Sequence, residues 1–143
     1  MKTSSTGRAF IRETEGEKLT AYRCSAGVPT IGVGHTGPDV RLGMTITKAQ
    51  SEALLVADLA RFEKAVSAAI KVPLTQNQFD ALVSLAFNIG ADAFSKSTLV
   101  RVLNGGHCDQ VSAQLARWNK VGGKPNKGLT ARRAREAALF VKP

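Results

Sequence analysis

Residues 15–36 read EGEKLTAYRCSAGVPTIGVGHT, and this stretch decides the fold prediction. Apolar and polar residues alternate on both sides of residues 25–27, a connection with the length and composition of a β-hairpin turn. The stretch also contains a carboxylate, a thiol and a hydroxyl, on Glu15, Cys24 and Thr30. We therefore predict a hairpin that carries a candidate active site.

The second arm of this hairpin places Thr30, Gly32 and Gly34 on one face. We expect Ile31 and Val33 on the other face to pack inward, which leaves Thr30 on an open face. Glycine within a strand indicates the close approach of a ligand or another backbone, or merely a bend in a small sheet. The glycines alone do not separate these two interpretations.

Helix signals surround the hairpin. Ser5 can cap a first helix that ends at Gly16, so residues 5–15 are predicted to be helical. A capping box at residues 47–50 predicts a long helix to about residue 70. The predicted inner stripe of this long helix is Ala53, Val56, Ala57 and Ala60.

The second half of the chain is also predicted to be helical. A capping box at residues 75–78 starts a helix that Gly90 ends. We expect a later helix capped by Asp109, a flexible basic loop at residues 122–128 and a last helix from Thr130. The residues predicted to face inward are Phe79, Leu82, Val83 and Ala86 in the first of these helices, Val111, Leu115 and Trp118 in the second, and Ala134, Ala137, Ala138 and Val141 in the last.

The predicted fold class is α+β, with one small hairpin on a mostly helical body. With 143 residues, 43% of them hydrophobic, the chain fits a single domain over residues 1–143. The predicted hairpin lobe covers about residues 16–45 and the connecting helix about 47–70. The predicted helical lobe covers about residues 74–143 together with the first helix, 5–15.

The net charge of +9 predicts a polyanionic partner: nucleic acid, an acidic membrane surface or an acidic cell-wall polymer. The cluster of Arg132, Arg133 and Arg135 favours nucleic acid, but one Trp and one Tyr are too few for a base-stacking platform. No metal or other cofactor is expected, because Cys24 and Cys108 are isolated and the two histidines lack zinc-ligand spacing.

No apolar run approaches the roughly 20 residues of a membrane span. The first residues also lack the apolar core of a signal peptide. We therefore expect the chain to remain in the cytosol until something releases it.

Glu15, Cys24 and Thr30 contain the groups that hydrolysis of a glycosidic bond requires. An acid must protonate the leaving oxygen, and a second group must activate water or attack the sugar. Glu15 suits the first role, a Cys24 thiolate could take a proton from water, and the Thr30 hydroxyl could hold that water. A surface Glu, a small buried Cys and a strand Thr explain the same residues without any chemistry.

The spacing of the three residues resembles the catalytic signature of the phage-type lysozymes: Glu, eight residues, Asp or Cys, five residues, Thr. Residues 29–37 are similar to the lambdoid branch of this family. Blocks similar to its later motifs occur at residues 78–84, 86–90, 97–99 and 128–133. The resemblance covers nearly the whole chain and implies a lysozyme-like fold.

The resemblance implies a muramidase that hydrolyses the β-1,4 bond between N-acetylmuramic acid and N-acetylglucosamine in peptidoglycan, with inversion. Glu15 would be the general acid. Cys24, at a position more often occupied by Asp, would activate water together with Thr30. Further residues that match positions lining the cleft or lie where sugar contacts are expected are Thr36, Phe87 and Ser97.

The resemblance also implies an endolysin that binds peptidoglycan as a monomer and does not insert stably into a membrane. It would leave the host cytoplasm for the periplasm and cell wall through a holin-type pore. Two alternatives are a lytic transglycosylase acting on the same substrate and, in a different class, a basic nucleic-acid-binding domain.

Overall fold

The computed structural model describes all 143 residues and has the predicted α+β class. Two small antiparallel sheets, of three and two strands, accompany seven helices and one 3-10 turn. No helix combines the length and the apolar character needed to cross a bilayer. In chain order the elements are α1 Ser5–Glu15, β1 Lys18–Arg23, β2 Pro29–Gly32, β3 His35–Thr36, α2 Lys48–Ala69, α3 Gln76–Ile89, α4 Ala91–Ser95, α5 Thr98–Asn104, the 3-10 turn Cys108–Gln110, α6 Val111–Ala116, β4 Lys120–Val121, β5 Lys124–Pro125 and α7 Lys127–Val141.

Contacts divide the chain into two compact units. The sheet unit comprises Arg8–Ala60, and the helical unit comprises Met1–Gly7 with Arg61–Pro143. The predicted division placed all of α1 with the helices, whereas most of it groups with the sheet. Ion pairs explain this, because Arg12 of α1 contacts Glu52 within the sheet unit.

The sheet unit is built on three strands in the order β1-β2-β3. Tyr22 lies opposite Thr30 in the first pair of strands, and Ile31 lies opposite His35 in the second. A small apolar cluster supports this sheet and contains the buried residues Ile31, Val40 and Ile46.

Helix α2 begins as its capping box predicts. The Gln50 N–H donates to Thr47 Oγ1 at 3.1 Å, and the Thr47 N–H donates to Gln50 Oε1 at 2.8 Å. The predicted inner stripe is wrong, because Val56 is 47% exposed and the three alanines are exposed. Larger side chains bury more apolar area than alanine and decide which face turns inward. They are Leu55, Leu59, Phe62 and Val66.

Helix α3 forms the centre of the helical unit and confirms its predicted face. Thr75 accepts from the Gln78 N–H, and the Gln78 side chain caps the Thr75 backbone in return. Gly90, with φ of +98°, follows the last residue of the helix. The four residues predicted to be buried, Phe79, Leu82, Val83 and Ala86, are at most 1% exposed.

The last third of the chain differs from the sequence prediction. Helix α7 begins at Lys127, where the Asn126 side chain accepts from the Leu129 N–H at 2.9 Å. The predicted flexible loop at residues 122–128 contains the turn and the second strand of the β4–β5 hairpin. Asp109 lies in a 3-10 turn without a side-chain cap, and α6 ends before Trp118.

The buried face of α7 is also different from the prediction. Val141 is 68% exposed, and Ala134 and Ala138 are exposed. Buried hydrogen bonds to charged groups, rather than small apolar residues, determine this face. Its buried residues are Arg132, Arg133, Glu136 and Phe140.

Candidate active site

Cys24 lies directly after β1, at the start of the tight turn that leads to β2. Its N–H donates to the Val28 carbonyl at 3.0 Å, and the Gly27 N–H donates to the Cys24 carbonyl at 2.8 Å. Gly27 has a φ of +78°, which favours glycine. The turn therefore holds the backbone on both sides of a half-buried thiol.

This turn lowers the pKa of the Cys24 thiol. The backbone N–H of Val28 makes the largest contribution and that of Ala26 the next, because both stabilise the thiolate. Partial burial opposes them, and the Thr30 hydroxyl adds to the lowering. A lower pKa raises the fraction of thiolate at neutral pH. The turn thus favours the form of Cys24 that accepts a proton.

Thr30 is tied to the same turn. Its Oγ1 donates to the Val28 carbonyl at 2.9 Å, the carbonyl that also accepts from the Cys24 N–H. The expectation of an open face is wrong, because Thr30 is only 3% exposed. Helix α2 covers the neighbouring Gly32, where an added Cβ would lie 3.1 Å from Ser51 Oγ.

Glu15 is exposed at the C-terminal end of α1, as predicted. Gly16, with φ of +83°, ends the helix, and its N–H donates to the Arg12 carbonyl at 2.8 Å. The Oε2 atom of Glu15 lies 4.0 Å from the position that a Cβ would take on Gly34. The turn between β2 and β3 therefore lies beside the carboxylate.

Charged side chains anchor the helix that carries Glu15. Arg12 pairs with Glu52, and its Nε lies 3.4 Å from Glu17 Oε2. Ser51 Oγ of α2 donates to the same Glu17 oxygen at 2.7 Å. These contacts hold the end of α1 against α2 and the residue that precedes β1.

His35 lies between two carboxylates. Its Nδ1 is 2.8 Å from Asp58 Oδ2, and its Nε2 is 3.0 Å from Asp39 Oδ2. Burial alone would lower the pKa of His35, but the hydrogen bonds and charges of Asp58 and Asp39 outweigh it, so the pKa is raised. The hydrogen bond from His35 lowers the pKa of Asp39. His35 therefore connects β3 to α2 as a structural residue.

The other predicted site residues lie in different places. Thr36 is exposed on β3, opposite Thr30 in the strand register. Phe87 and Ser97 belong to the helical unit. Phe87 is half-buried and packs edge-on against Phe62, with ring centroids 5.2 Å apart. Their contacts with substrate stay predictions.

Ser97 has a clear structural role. It is 5% exposed and caps α5, where its Oγ accepts from the Val100 N–H at 3.3 Å. The same Oγ donates to the Phe94 carbonyl at 2.6 Å. The sheet unit thus contains Glu15, Cys24, Thr30 and Thr36, and the helical unit contains the remaining two residues.

Comparisons with known proteins identify the family of this chain. Residues 12–136 match the phage lysozyme family. The chain belongs to this family. The endolysin of Salmonella phage P22 is 48% identical to this phage lysozyme over 145 residues, which cover 99% of each chain.

Solved structures show the same fold. A crystal structure of a P22 lysozyme mutant superposes with a TM-score of 0.94 at 47% identity, covering 99% of both chains. The muramidase domain of SpmX from Asticaccaulis excentricus superposes with a TM-score of 0.92 at 38% identity, again covering 99% of both chains. The predicted lysozyme-like fold is confirmed, and this phage lysozyme is a glycoside hydrolase.

The sequence prediction missed an open cavity of about 420 Å³ in the helical unit of this phage lysozyme. Arg133 fixes two parts of its wall, because its Nε donates to the Trp118 carbonyl at 2.9 Å and its Nη2 to Asn88 Oδ1. The one sequence signal was Trp118, which the helical pattern assigned to a buried face. The cavity is lined by Asn88, Ile89, Arg117, Trp118, Lys120 and Leu129.

Two of the three arginines that favoured nucleic-acid binding are internal. Arg132 is 7% exposed and Arg133 is 1% exposed. Both pair with the fully buried Glu136, which also accepts from Ser84 Oγ at 2.5 Å. Buried and paired guanidinium groups are not available to a polyanion. Arg132 and Arg133 therefore belong to the core of this phage lysozyme, whereas Arg135 is exposed.

Proposed function

We propose that this phage lysozyme is an endolysin muramidase. It hydrolyses the β-1,4 bond between N-acetylmuramic acid and N-acetylglucosamine in peptidoglycan and thereby lyses the host cell. One observation carries this proposal: a single compact unit contains the exposed carboxyl of Glu15 and a Cys24 thiol whose pKa is lowered by its turn. Membership of the phage lysozyme family supports the substrate class.

Glu15 acts as the general acid in this proposal. Its carboxyl gives a proton to the glycosidic oxygen while the bond from that oxygen to the sugar C1 breaks. The leaving sugar departs as an alcohol, and Glu15 is left as a carboxylate. The exposed end of α1 gives a bulky polymer access to this carboxyl.

Cys24 acts as the base. Its thiolate takes a proton from a water molecule while the water oxygen bonds to C1 on the face opposite the leaving group, which inverts the configuration. Cys24 then returns its proton to solvent, and Glu15 is reprotonated. The amides of Val28 and Ala26 support this role because they stabilise the thiolate.

Thr30 positions the attacking water. Its hydroxyl donates to the Val28 carbonyl, and the lone pairs on Oγ1 can accept a hydrogen bond from water. Thr36 contacts the sugar from the exposed edge of the same sheet. Phe87 offers part of an aromatic ring, whereas the Ser97 hydroxyl is already engaged by α5 and the Phe94 carbonyl.

The partners and location follow the family resemblance. The enzyme acts as a monomer on peptidoglycan and uses no metal or other cofactor. It stays in the host cytoplasm until a holin-type pore, made by another protein, releases it to the periplasm and cell wall. Size-exclusion chromatography tests the monomer, and lysis with and without a co-expressed holin tests the release route.

Turbidity of permeabilised Gram-negative cells tests the catalytic role. The Glu15→Gln variant should clear the suspension at least about 100-fold more slowly than wild type, because removing a general acid costs that much or more. The matched control is Glu13→Gln, an exposed carboxylate on the same helix, which should lyse like wild type. Circular dichroism verifies that both variants fold. Wild-type clearing by Glu15→Gln would refute the proposal.

The products test the reaction type. Hydrolysis yields muropeptides with a reducing N-acetylmuramic acid, whereas a lytic transglycosylase yields the anhydro-sugar without adding water. Mass spectrometry of the muropeptides released from purified sacculi distinguishes them. We expect the hydrated product. Anhydro-muropeptides would overturn the role of Cys24 as the base for water.

A further inference from the structure

One segment of the chain contains many basic residues and no acidic residue. Residues 110–135 contain seven basic residues and no acidic residue, in a protein of net charge +9. Two of the seven, Arg132 and Arg133, are buried against Glu136. The exposed ones are Arg117, Lys120, Lys124, Lys127 and Arg135.

Four of these cations lie on or beside the β4–β5 hairpin. Lys120 is paired with Pro125 and Val121 with Lys124, and every residue from 120 to 128 is exposed. The hairpin turn consists of two glycines with φ of +59° and +81°. We call the group of Arg117, Lys120, Lys124 and Lys127 the basic hairpin surface.

The cations of the basic hairpin surface have no acidic partner. Arg117 donates to Gln114 Oε1 at 3.1 Å, and none of the three lysines forms an ion pair. Some cations elsewhere are paired, as Arg8 is with Glu52 and Lys96 with Asp92. An unpaired cation can bind an anion without first breaking an internal ion pair.

We propose that the basic hairpin surface binds the carboxylates of the peptide stems of peptidoglycan, an inference that rests on the proposed function. The β4–β5 register holds Lys120 and Lys124 one position apart on opposite faces of this narrow hairpin, and a flexible polymer can supply a carboxylate to each. Exposed ion pairs are individually weak, but several on one polymer act together. Such binding is screened by salt, because the Debye length is about 10 Å at 0.1 M.

Two other polyanions fit this surface less well. Val121, which is 60% exposed, is the only large apolar side chain exposed on the hairpin, and interfacial membrane binding requires a larger apolar face. Trp118, beside Arg117, is the only aromatic residue in the segment 117–127, and one half-buried ring is too few to stack nucleic-acid bases. A carboxylate-bearing polymer needs neither feature.

Co-sedimentation with purified Gram-negative sacculi tests the proposal. All proteins carry Glu15→Gln so that the wall remains intact during the measurement. The test variant combines Lys120→Gln, Lys124→Gln and Lys127→Gln. The matched control removes the same charge at three exposed lysines elsewhere, Lys48, Lys64 and Lys142.

At low salt we expect the test variant to bind sacculi about tenfold more weakly than the control, as the loss of three weak ion pairs implies. At about 0.5 M salt this difference should disappear. Amidation of the sacculus carboxyls should weaken binding of the parent protein as much as the triple substitution does. Thermal melts check that the test variant is folded.

Equal binding by the test variant and the control would overturn the proposal, as would unchanged binding to amidated sacculi. Vesicles containing anionic lipid and duplex DNA are measured in parallel. Loss of binding to either of these, with binding to sacculi retained, would assign the surface to another polyanion and also overturn the proposal. Because binding is measured without turnover, these results are independent of the Glu15→Gln lysis assay.

Discussion

The two units of this phage lysozyme place their ionisable groups in opposite ways. In the sheet unit Glu15 is exposed, and Cys24 is half-buried on a turn held by backbone hydrogen bonds. In the helical unit Arg133 and Glu136 are at most 1% exposed and are paired with each other. Proposed reactive groups and buried ionic groups therefore occur in separate parts of the fold.

The difference follows from the cost of removing charge from water. A buried charge is tolerated only with a partner, so Glu136 accepts from two arginines and Ser84 and has no capacity left for substrate. A reacting group must instead remain accessible and able to exchange a proton. In the sheet unit this support comes from backbone amides beside Cys24, which stabilise the thiolate and leave it accessible.

Removing the buried carboxylate tests this comparison most strongly. Glu136→Ala leaves two buried arginines without their partner and should lower the free energy of unfolding by about 3–5 kcal/mol. Urea denaturation measures the change. The control is Asp92→Asn, which removes the acid from a surface pair with Lys96 and should change stability by about 0.5 kcal/mol or less. A loss below about 1 kcal/mol for Glu136→Ala would contradict the ionic role of this cluster.

Replacing the thiol by a carboxyl tests the role of Cys24. Cys24→Asp should keep lytic activity within about tenfold and move the acid limb of its pH profile to lower pH, because the ordinary pKa is about 3.9 for Asp and about 8.5 for Cys. The serine in Cys24→Ser does not ionise between about pH 4 and pH 9, so the lytic activity of this variant should fall at least about 100-fold.

Turbidity rates measured from about pH 4 to pH 9 provide this comparison. Cys108→Ser is the control for a thiol substitution, since that exposed cysteine is outside the proposed site. Complete loss of lysis in Cys24→Asp, with folding retained, would count against a base at this position.

Removing the half-buried ion pair of His35 should change the free energy of unfolding less than Glu136→Ala does. Its raised pKa means that the folded protein binds the proton more tightly, so the stabilisation is complete below the unfolded pKa of about 6.5 and is lost as pH rises through the folded pKa. At the acid end it is lost again as pH falls through the lowered pKa of Asp39.

His35→Asn should therefore destabilise by about 1 kcal/mol near pH 5.5 and by less near pH 8.5. Thermal or urea unfolding at the two pH values gives the difference. Asp58→Asn should reproduce the same pH dependence, because Asp58 makes the shorter contact with His35. If His35→Asn destabilised the protein more at pH 8.5 than at pH 5.5, the pH dependence derived from the raised pKa of His35 would be wrong.

The local signals in the sequence predicted several elements closely. Helix α1 covers the predicted residues 5–15, although its cap is Ser4 and not Ser5, because Ser4 Oγ accepts from the Gly7 N–H at 3.0 Å. Two capping boxes start α2 and α3. These predictions succeeded because caps and glycine stops act within one turn of a helix. The hairpin around residues 25–27 is local in the same sense.

Predictions that depended on distant contacts failed more often. The alanine stripe of α2 and the apolar face of α7 were both placed on the wrong side, because larger side chains and a buried ionic network decided which face packs. Residues 122–128 were predicted to be a flexible loop, although residues 120–125 form a paired hairpin.

For the candidate site, the sequence by itself determined which chemical groups are present and their spacing: Glu15, Cys24 and Thr30 on a helix end and a hairpin. Only the tertiary structure decided their surroundings. It left Thr30 only 3% exposed and placed α2 over the neighbouring Gly32. Helix ends and turns depend on a few adjacent residues, and so does the lowered pKa of Cys24, whereas burial depends on groups that only folding brings together.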